Sequence, residues 1–241
     1  MSSLLEVSDL DAGYAGWQVL QGVEFRAEQN RITGIIGPNG SGKSTLLKAV
    51  VGMVAPQRGS VHFNGQDITG MPTFDVVTHG LAYIPQGKQI FPEMTVYENL
   101  QMAAYTIRDR QLAGQRFEEV YDHFPFIAKN RRQRAGTLSG GEQSLLSFGM
   151  ALVLEPKCLL LDEPSLGLAP QLLHQIFETV IELHERGLTF VIIEQNVRAL
   201  LDIVDDLAIV DSGRIAYLGP AKGVHDEDEL MRMYVGLGAS S

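Results

Sequence analysis

The segment Gly37-Pro38-Asn39-Gly40-Ser41-Gly42-Lys43-Ser44 decides the fold of this 241-residue chain. It matches the pattern Gly-x-x-x-x-Gly-Lys-Ser, in which a glycine-rich loop turns its backbone N–H groups around phosphate oxygens. The apolar run 31–36 before it predicts a buried strand. Residues 44–51 after it predict a helix, whose N-terminus adds the positive end of a dipole. The segment therefore predicts a nucleotide site in which Lys43 reaches the β- and γ-phosphates and the Ser44 hydroxyl ligates Mg²⁺.

Composition describes the class of protein around this segment. Hydrophobic residues make up 45% and charged residues 20%, which is ordinary for a globular protein. The 19 basic and 29 acidic residues give a net charge of −10, which argues against nucleic acid as a partner. The longest apolar runs, such as 188–193, are far shorter than the roughly 18 residues of a membrane span. The N-terminus predicts no signal peptide, and the single cysteine, Cys158, fits a reducing cytosol.

Along the chain, short β-rich runs alternate with helical stretches, which predicts a largely parallel sheet with helices on its faces. The first 30 residues alternate more simply and predict an antiparallel flap. The pattern is helical over 95–124 and again over 142–154. We therefore expect an α/β core, formed by 1–88 and 156–241, that is interrupted by a helical insertion at 89–155. Further strands are predicted at 81–84, 158–161, 188–193, 207–210 and 215–218, and a further helix at 170–185.

An apolar run ends in two carboxylates at Asp162 and Glu163. In phosphate-loop enzymes such a strand lies beside the loop, and its last Asp helps to hold Mg²⁺. Glu163 is then placed to accept a proton from the water that attacks the γ-phosphate, which is the work of a general base.

A second possible anion site opens the helix predicted after Leu138-Ser139-Gly140-Gly141-Glu142. Ser139 can cap this helix, and the glycines Gly140 and Gly141 let the backbone approach an anion closely. One nucleotide does not need both helix N-termini of the same chain.

The phosphate loop, 138–142 and 161–163, in this order, resemble the ATP-binding-cassette (ABC) ATPases of membrane transporters. The resemblance extends over nearly the whole chain, from about Leu5 to Gly236. Three longer segments are similar to the LivF-type subunits of branched-chain amino-acid transporters: Arg134-Ala135-Gly136-Thr137-Leu138-Ser139-Gly140-Gly141-Glu142-Gln143, Asp162-Glu163-Pro164-Ser165-Leu166-Gly167-Leu168-Ala169-Pro170 and Val191-Ile192-Ile193-Glu194-Gln195-Asn196.

The resemblance implies the fold, the reaction and the partners. The fold is a single ABC ATPase domain: a P-loop NTPase core with an antiparallel β flap and an inserted helical subdomain that carries the signature motif. The implied reaction is Mg²⁺-dependent ATP hydrolysis, coupled to the transport of branched-chain or other hydrophobic amino acids. The implied partners are transmembrane permease subunits, a second ATPase chain (a copy or a LivG-like chain) and, indirectly, a substrate-binding protein. The implied location is the cytoplasmic face of the cell membrane.

The resemblance also assigns residues. Glu163, Gln195 and Lys43 are the implied catalytic residues, and Ser44, Asp162 and Gln86 the implied Mg²⁺ ligands. The residue that stacks on adenine is Tyr14 or, alternatively, Trp17, since a flat ring suits a base. Gln86 also lies between the nucleotide and the membrane partner. The implied nucleotide-binding residues are Tyr14, Gly37, Pro38, Asn39, Gly40, Ser41, Gly42, Lys43, Ser44, Thr45, Gln86, Ser139, Gly140, Gly141 and Glu142.

Three departures from the general family pattern are visible. Gln195 stands where a histidine is usual, and glutamine can donate and accept hydrogen bonds but cannot become charged. The segment 165–168 lacks the usual aspartate, as LivF-type subunits do. Relatives usually have glutamine at Ser144 and arginine at Met150.

Two alternative functions stay open at this point: a soluble ATPase of the same superfamily, and an ATP-gated binding module that does not hydrolyse ATP.

Overall fold

In the computed structural model, which describes residues 3–87, 89–166 and 170–222, the chain forms two β-sheets and the helices that pack on them. The strands are β1 (Ser3–Tyr14), β2 (Trp17–Glu28), β3 (Ile32–Ile36), β4 (Pro56–Phe63), β5 (Gln66–Asp67), β6 (Leu81–Ile84), β7 (Cys158–Asp162), β8 (Thr189–Ile193), β9 (Asp206–Asp211) and β10 (Arg214–Pro220). The α-helices are α1 (Lys43–Val50), α2 (Thr73–Thr78), α3 (Val96–Ala103), α4 (Arg110–His123), α5 (Pro125–Asn130), α6 (Gly140–Leu152), α7 (Pro170–Glu185) and α8 (Val197–Leu201).

The larger sheet has six strands in the order β10-β9-β3-β8-β7-β6, and all neighbours except β10 and β9 are parallel. The parallel order β3-β8-β7-β6 places the carboxyl ends of four strands in a row at one edge. Ligands of open α/β sheets bind at that edge. The prediction of a P-loop NTPase core with a parallel sheet is confirmed.

The smaller sheet is the predicted flap, which is antiparallel with strand order β2-β1-β4-β5. The sequence predicted its first two strands and missed β4 and β5. The turn between β9 and β10 packs against it, and Gln21 N donates to Gly213 O over 2.9 Å. A Cβ on Gly213 would lie 1.9 Å from the carbonyl oxygen of Val19, so this close approach requires glycine.

Both faces of the six-stranded sheet are buried, which explains its unbroken apolar strands. In β8, Phe190 and Ile192 pack into a cluster with the helices that follow β6, including Phe148. The alternate residues Val191 and Ile193 pack into a second cluster, with α1 and the flap. The sheet is therefore held rigidly between two layers, which fixes the loops at its carboxyl edge.

The segment between β6 and β7 is helical and contains α3 to α6. The helical pattern predicted over 95–124 is divided in the structure. A 3₁₀ turn at Ala104–Thr106 ends α3, and Asp109 begins α4 by accepting from Gln111 N over 2.8 Å. None of the helices in the described ranges is long and apolar enough to cross a membrane. The division of the chain into 1–88, 89–155 and 156–241 stays a prediction.

Candidate active site

The loops that follow β3, β6, β7 and β8 meet at one pocket of about 480 Å³. Because these strands are neighbours in the sheet, residues that are distant in sequence come together at its carboxyl edge. The residues that line the pocket are Val19, Asn39, Gly40, Gly42, Lys43, Ser44, Thr45, Gln86, Glu163 and Gln195.

The phosphate loop surrounds the side chain of Lys43, which is buried. Its ammonium donates to Gly37 O over 2.9 Å and to Pro38 O over 2.8 Å. Burial lowers the pKa of Lys43, and the nearby carboxylates of Glu163 and Asp162 act in the opposite direction. The loop also needs glycine at its first position, since a Cβ on Gly37 would lie 2.1 Å from a backbone carbonyl oxygen.

The N-terminus of α1 presents donors that nothing else in the described chain uses. Gly42 occupies the N-cap with φ of 107°, and no side chain of the described residues caps the helix. The hydroxyl of Ser41 is buried and has no hydrogen-bond partner within the described ranges. Uncapped N–H groups and an unpaired hydroxyl beside a lysine fit a phosphate group.

Asp162 has both carboxylate oxygens engaged by hydroxyl groups. Ser44 Oγ donates to Oδ1 over 2.9 Å, and Tyr83 Oη donates to Oδ2 over 2.9 Å. Burial raises the pKa of Tyr83, and the charge of Asp162 and its hydrogen bond raise it further. The sequence analysis missed Tyr83. No pattern in the sequence shows that β6, which carries Tyr83, lies beside β7, which carries Asp162.

The residues at Asp162 also fit Mg²⁺. The described residues contain no cluster of three or more His, Cys, Asp or Glu that could hold a metal ion. Mg²⁺ does not require one, because it binds through one or two carboxylates together with water and substrate phosphates. The serine hydroxyl and the carboxylate are both hard oxygen ligands, so the donor chemistry is suitable.

Glu163 is held from both sides by amide donors. Gln86 Nε2 donates to its Oε2 over 2.8 Å, and Gln195 Nε2 donates to the same oxygen over 2.9 Å. The backbone of Glu163 has φ of 50°, which is uncommon for a residue other than glycine and is often found at functional sites. The structure thus brings Gln86, Glu163 and Gln195 together, and their roles stay proposals.

The segment Ser139–Glu142 lies elsewhere. None of its residues lines this pocket in the described part of the chain. Ser139 N donates to Glu142 Oε2 over 2.8 Å, and Glu142 N donates back to Ser139 Oγ over 3.4 Å, which forms a capping box at the start of α6. Gly141 allows close packing, since a Cβ there would lie 2.3 Å from Leu172 Cδ2.

The two candidates for the adenine platform are both exposed, Tyr14 by 45% and Trp17 by 80%, and neither lines the described pocket. Their exposure shows that neither ring belongs to the core of the flap, and the ring that stacks on adenine stays a prediction. Of the predicted departure at 165–168, Gly167 and Leu168 lie outside the described residues.

A P-loop ATPase is the class of protein that these contacts define. The glycine loop supplies backbone donors, and the neighbouring strand supplies an acidic residue bonded to the loop serine. A family model described as ABC transporter matches residues 20–166, which is more than half of the chain. The chain therefore belongs to the ABC transporter family and is one of its ATP-hydrolysing subunits.

Individual relatives extend over nearly the full chain. The probable branched-chain amino acid transport ATP-binding protein LivF of Archaeoglobus fulgidus is 37% identical over 97% of this chain and 99% of its own. The lipopolysaccharide export system ATP-binding protein LptB of Haemophilus influenzae is 35% identical over 97% and 98%. The ADP conformation of MJ1267, an ATP-binding cassette of an ABC transporter, superposes with a TM-score of 0.87 at 30% identity, covering 98% of this chain and 100% of that chain. The resemblance to the ABC ATPases is thereby confirmed.

Proposed function

We propose that this ATPase powers the import of branched-chain or other hydrophobic amino acids. The observation that carries the proposal is the full-length similarity to a LivF protein, together with the LivF-type segments around Ser139, Ser165 and Gln195. In this proposal the residues of the phosphate loop contact only nucleotide, so the solute is recognised by other chains.

In the proposed reaction, a water oxygen attacks the γ-phosphorus and the bond to the β–γ bridging oxygen breaks. Glu163 accepts the proton from the water, and Lys43 and the loop N–H groups stabilise the charge on the phosphate oxygens. Gln86 and Gln195 hold the carboxylate of Glu163 in place and orient the water. Ser44, Asp162 and Gln86 would hold Mg²⁺, which when bound neutralises charge on the β- and γ-phosphate oxygens.

The proposed site is completed by a second ATPase chain, which is another copy or a LivG-like partner. Two chains face each other head to tail, and each nucleotide lies between one phosphate loop and the Ser139–Glu142 segment of the other chain. The position of that segment outside the described pocket supports this arrangement. In the proposal, the helical segment after Gln86 docks on transmembrane permease subunits at the cytoplasmic face of the membrane. A substrate-binding protein takes part indirectly.

Lipopolysaccharide export is the competing function, because the LptB relative is nearly as similar as the LivF relative. The test is uptake of radiolabelled leucine, isoleucine and valine by cells that lack the gene for this chain. Uptake should fall and should return with the wild-type gene but not with Lys43→Ala. Unchanged uptake of all three would overturn the amino-acid proposal. Recovery of the chain in the soluble fraction, with the permease present, would instead favour a soluble ATPase.

A further inference from the structure

Glu194 is a buried carboxylate whose bonds all go to two loops of the site. Its side chain is only 2% exposed, and no lysine or arginine of the described residues forms an ion pair with it. Ser165 N donates to Oε1 over 3.0 Å, and Ser165 Oγ donates to Oε2 over 2.8 Å. Gln195 N also donates to Oε2, over 3.2 Å.

These bonds close a ring through the site. Glu163 is joined through Pro164 to Ser165, which binds Glu194. The next residue, Gln195, returns to Glu163 through its side-chain amide at 2.9 Å. The backbone N–H of Glu163 also donates to Ile193 O over 2.9 Å. The loop after β7 and the loop after β8 are therefore fixed to each other on both sides of Glu163.

Folding stability alone does not account for Glu194. Moving a carboxylate out of water without a cation beside it costs folding free energy, and the hydrogen bonds only partly offset that cost. Burial raises the pKa of Glu194, whereas the bonds from Ser165 and from the backbone of Gln195 and Asn196 lower it. What the carboxylate provides, and an apolar side chain would not, is a set of acceptors for donors from both loops.

We propose that Glu194 is a positioning residue that holds Glu163 and Gln195 in their relative places, so that it acts on the hydrolysis step and not on ATP binding. The inference rests on the catalytic roles proposed above for Glu163 and Gln195. In that proposal the carboxylate of Glu163 and the amide of Gln195 contact the same water molecule, so the rate of hydrolysis depends on their relative positions. A displacement of about 1 Å can lower a rate by about 10²-fold.

Steady-state kinetics of Glu194→Ala, Glu194→Gln and Ser165→Ala test the proposal. We expect Glu194→Ala to lower kcat by about 10- to 100-fold, while KM and the affinity for a fluorescent ATP analogue change by less than about threefold. Glu194→Gln should lie between wild type and alanine. Its amide can accept from Ser165 N and donate to Ser165 Oγ, but Gln195 N then loses its acceptor.

A double-mutant cycle distinguishes a fall in kcat caused by breaking this ring of hydrogen bonds from a fall caused by a general loss of stability. In Glu194→Ala combined with Ser165→Ala, the two falls in kcat should not multiply, because both changes break the same link. The matched control is Asp206→Asn, which weakens a different carboxylate link, from the partly buried Asp206 to Arg31, at the opposite edge of the sheet. It should leave kcat unchanged.

Three results would overturn the proposal: kcat of Glu194→Ala equal to wild type, effects of the two substitutions that multiply, or a fall in Asp206→Asn of the same size. If Glu194→Ala does not fold, Glu194→Gln and Ser165→Ala carry the test, since each changes very few atoms. Glu163→Gln, measured in parallel, distinguishes a failure of the role proposed for Glu163 from a failure of the role proposed for Glu194. If that variant turns over normally, the proposed role of Glu163 has failed, and if it is inactive while Glu194→Ala is not, only the positioning role has failed.

Discussion

Replacing Glu163 by glutamine removes a proton acceptor and leaves its hydrogen bonds in place. In the wild type, one carboxylate oxygen accepts from both Gln86 and Gln195, at 2.8 and 2.9 Å. The amide oxygen of a glutamine can occupy the same position and accept both bonds. Within the described residues the other carboxylate oxygen accepts no hydrogen bond, so the new NH₂ group meets no competing donor. The substitution therefore tests basicity with little change of geometry.

The expected loss follows from the role of a general base, which contributes about 10²- to 10⁴-fold. At about 1.4 kcal/mol for each factor of ten, this is about 3–5 kcal/mol of the barrier. Phosphate release at saturating MgATP should fall by at least about 10²-fold, while a fluorescent ATP analogue should bind with nearly wild-type affinity. Because the nucleotide is no longer consumed, an ATP-bound dimer should become visible by size-exclusion chromatography.

The matched control is Glu178→Gln, which removes the same charge from an exposed position on α7. It should turn over like the wild type. If Glu163→Gln also turned over normally, Glu163 would not be the base. A large loss of ATP affinity would mean that the substitution disturbs the pocket and that the reasoning from its hydrogen bonds is wrong.

Three further predictions concern the rest of the site. Gln195→Ala should lower turnover by about 10²–10³-fold with little loss of ATP binding. Gln195→His should add a pH-dependent limb to the rate profile above the usual histidine pKa of about 6.5, because Glu163 favours the charged ring, and superimposable profiles of both variants and the wild type would contradict the assignment. Tyr83→Phe should raise the Mg²⁺ concentration needed for half-maximal nucleotide binding without changing Mg²⁺-free binding, whereas an unchanged Mg²⁺ titration would exclude a role in placing Asp162. A mixture of Lys43→Ala and Ser139→Arg chains should regain activity above either alone if the site is shared between two chains, and strictly additive activity would refute sharing.

Local signals explain what the sequence could predict. The phosphate loop is a contiguous pattern, and the structure has a strand before it and a helix after it. The strand Leu81–Ile84 and the helix Pro170–Glu185 were predicted with the bounds that the structure has. The motif residues Lys43, Asp162 and Glu163 were likewise predicted as site residues from short segments of the chain.

Contacts between distant segments explain what the sequence missed. Tyr83 lies 79 residues from the carboxylate that it binds, and Glu194 lies 29 residues from Ser165. Which strand is the neighbour of β6 or of β8 cannot be read from periodicity, since the alternation of apolar residues gives the two faces of a strand and not its position in the sheet. The short edge strand β5 was missed for a related reason, because two residues carry no periodicity.

Three carboxylates lie at this edge of the sheet, and each one has a different set of hydrogen-bond donors. Asp162 receives two hydroxyl groups, from Ser44 and Tyr83, and oxygen-rich surroundings suit a hard cation. Glu163 accepts hydrogen bonds from two amides on one oxygen, which orients the carboxylate and leaves its other oxygen without a hydrogen bond from the described residues. Glu194 is engaged through both oxygens by two neighbouring loops and is shielded from solvent, so it has no oxygen left for substrate. In the roles proposed above, the partners supplied by the sheet order are what distinguish a carboxylate that holds a metal, one that accepts a proton and one that positions its neighbours.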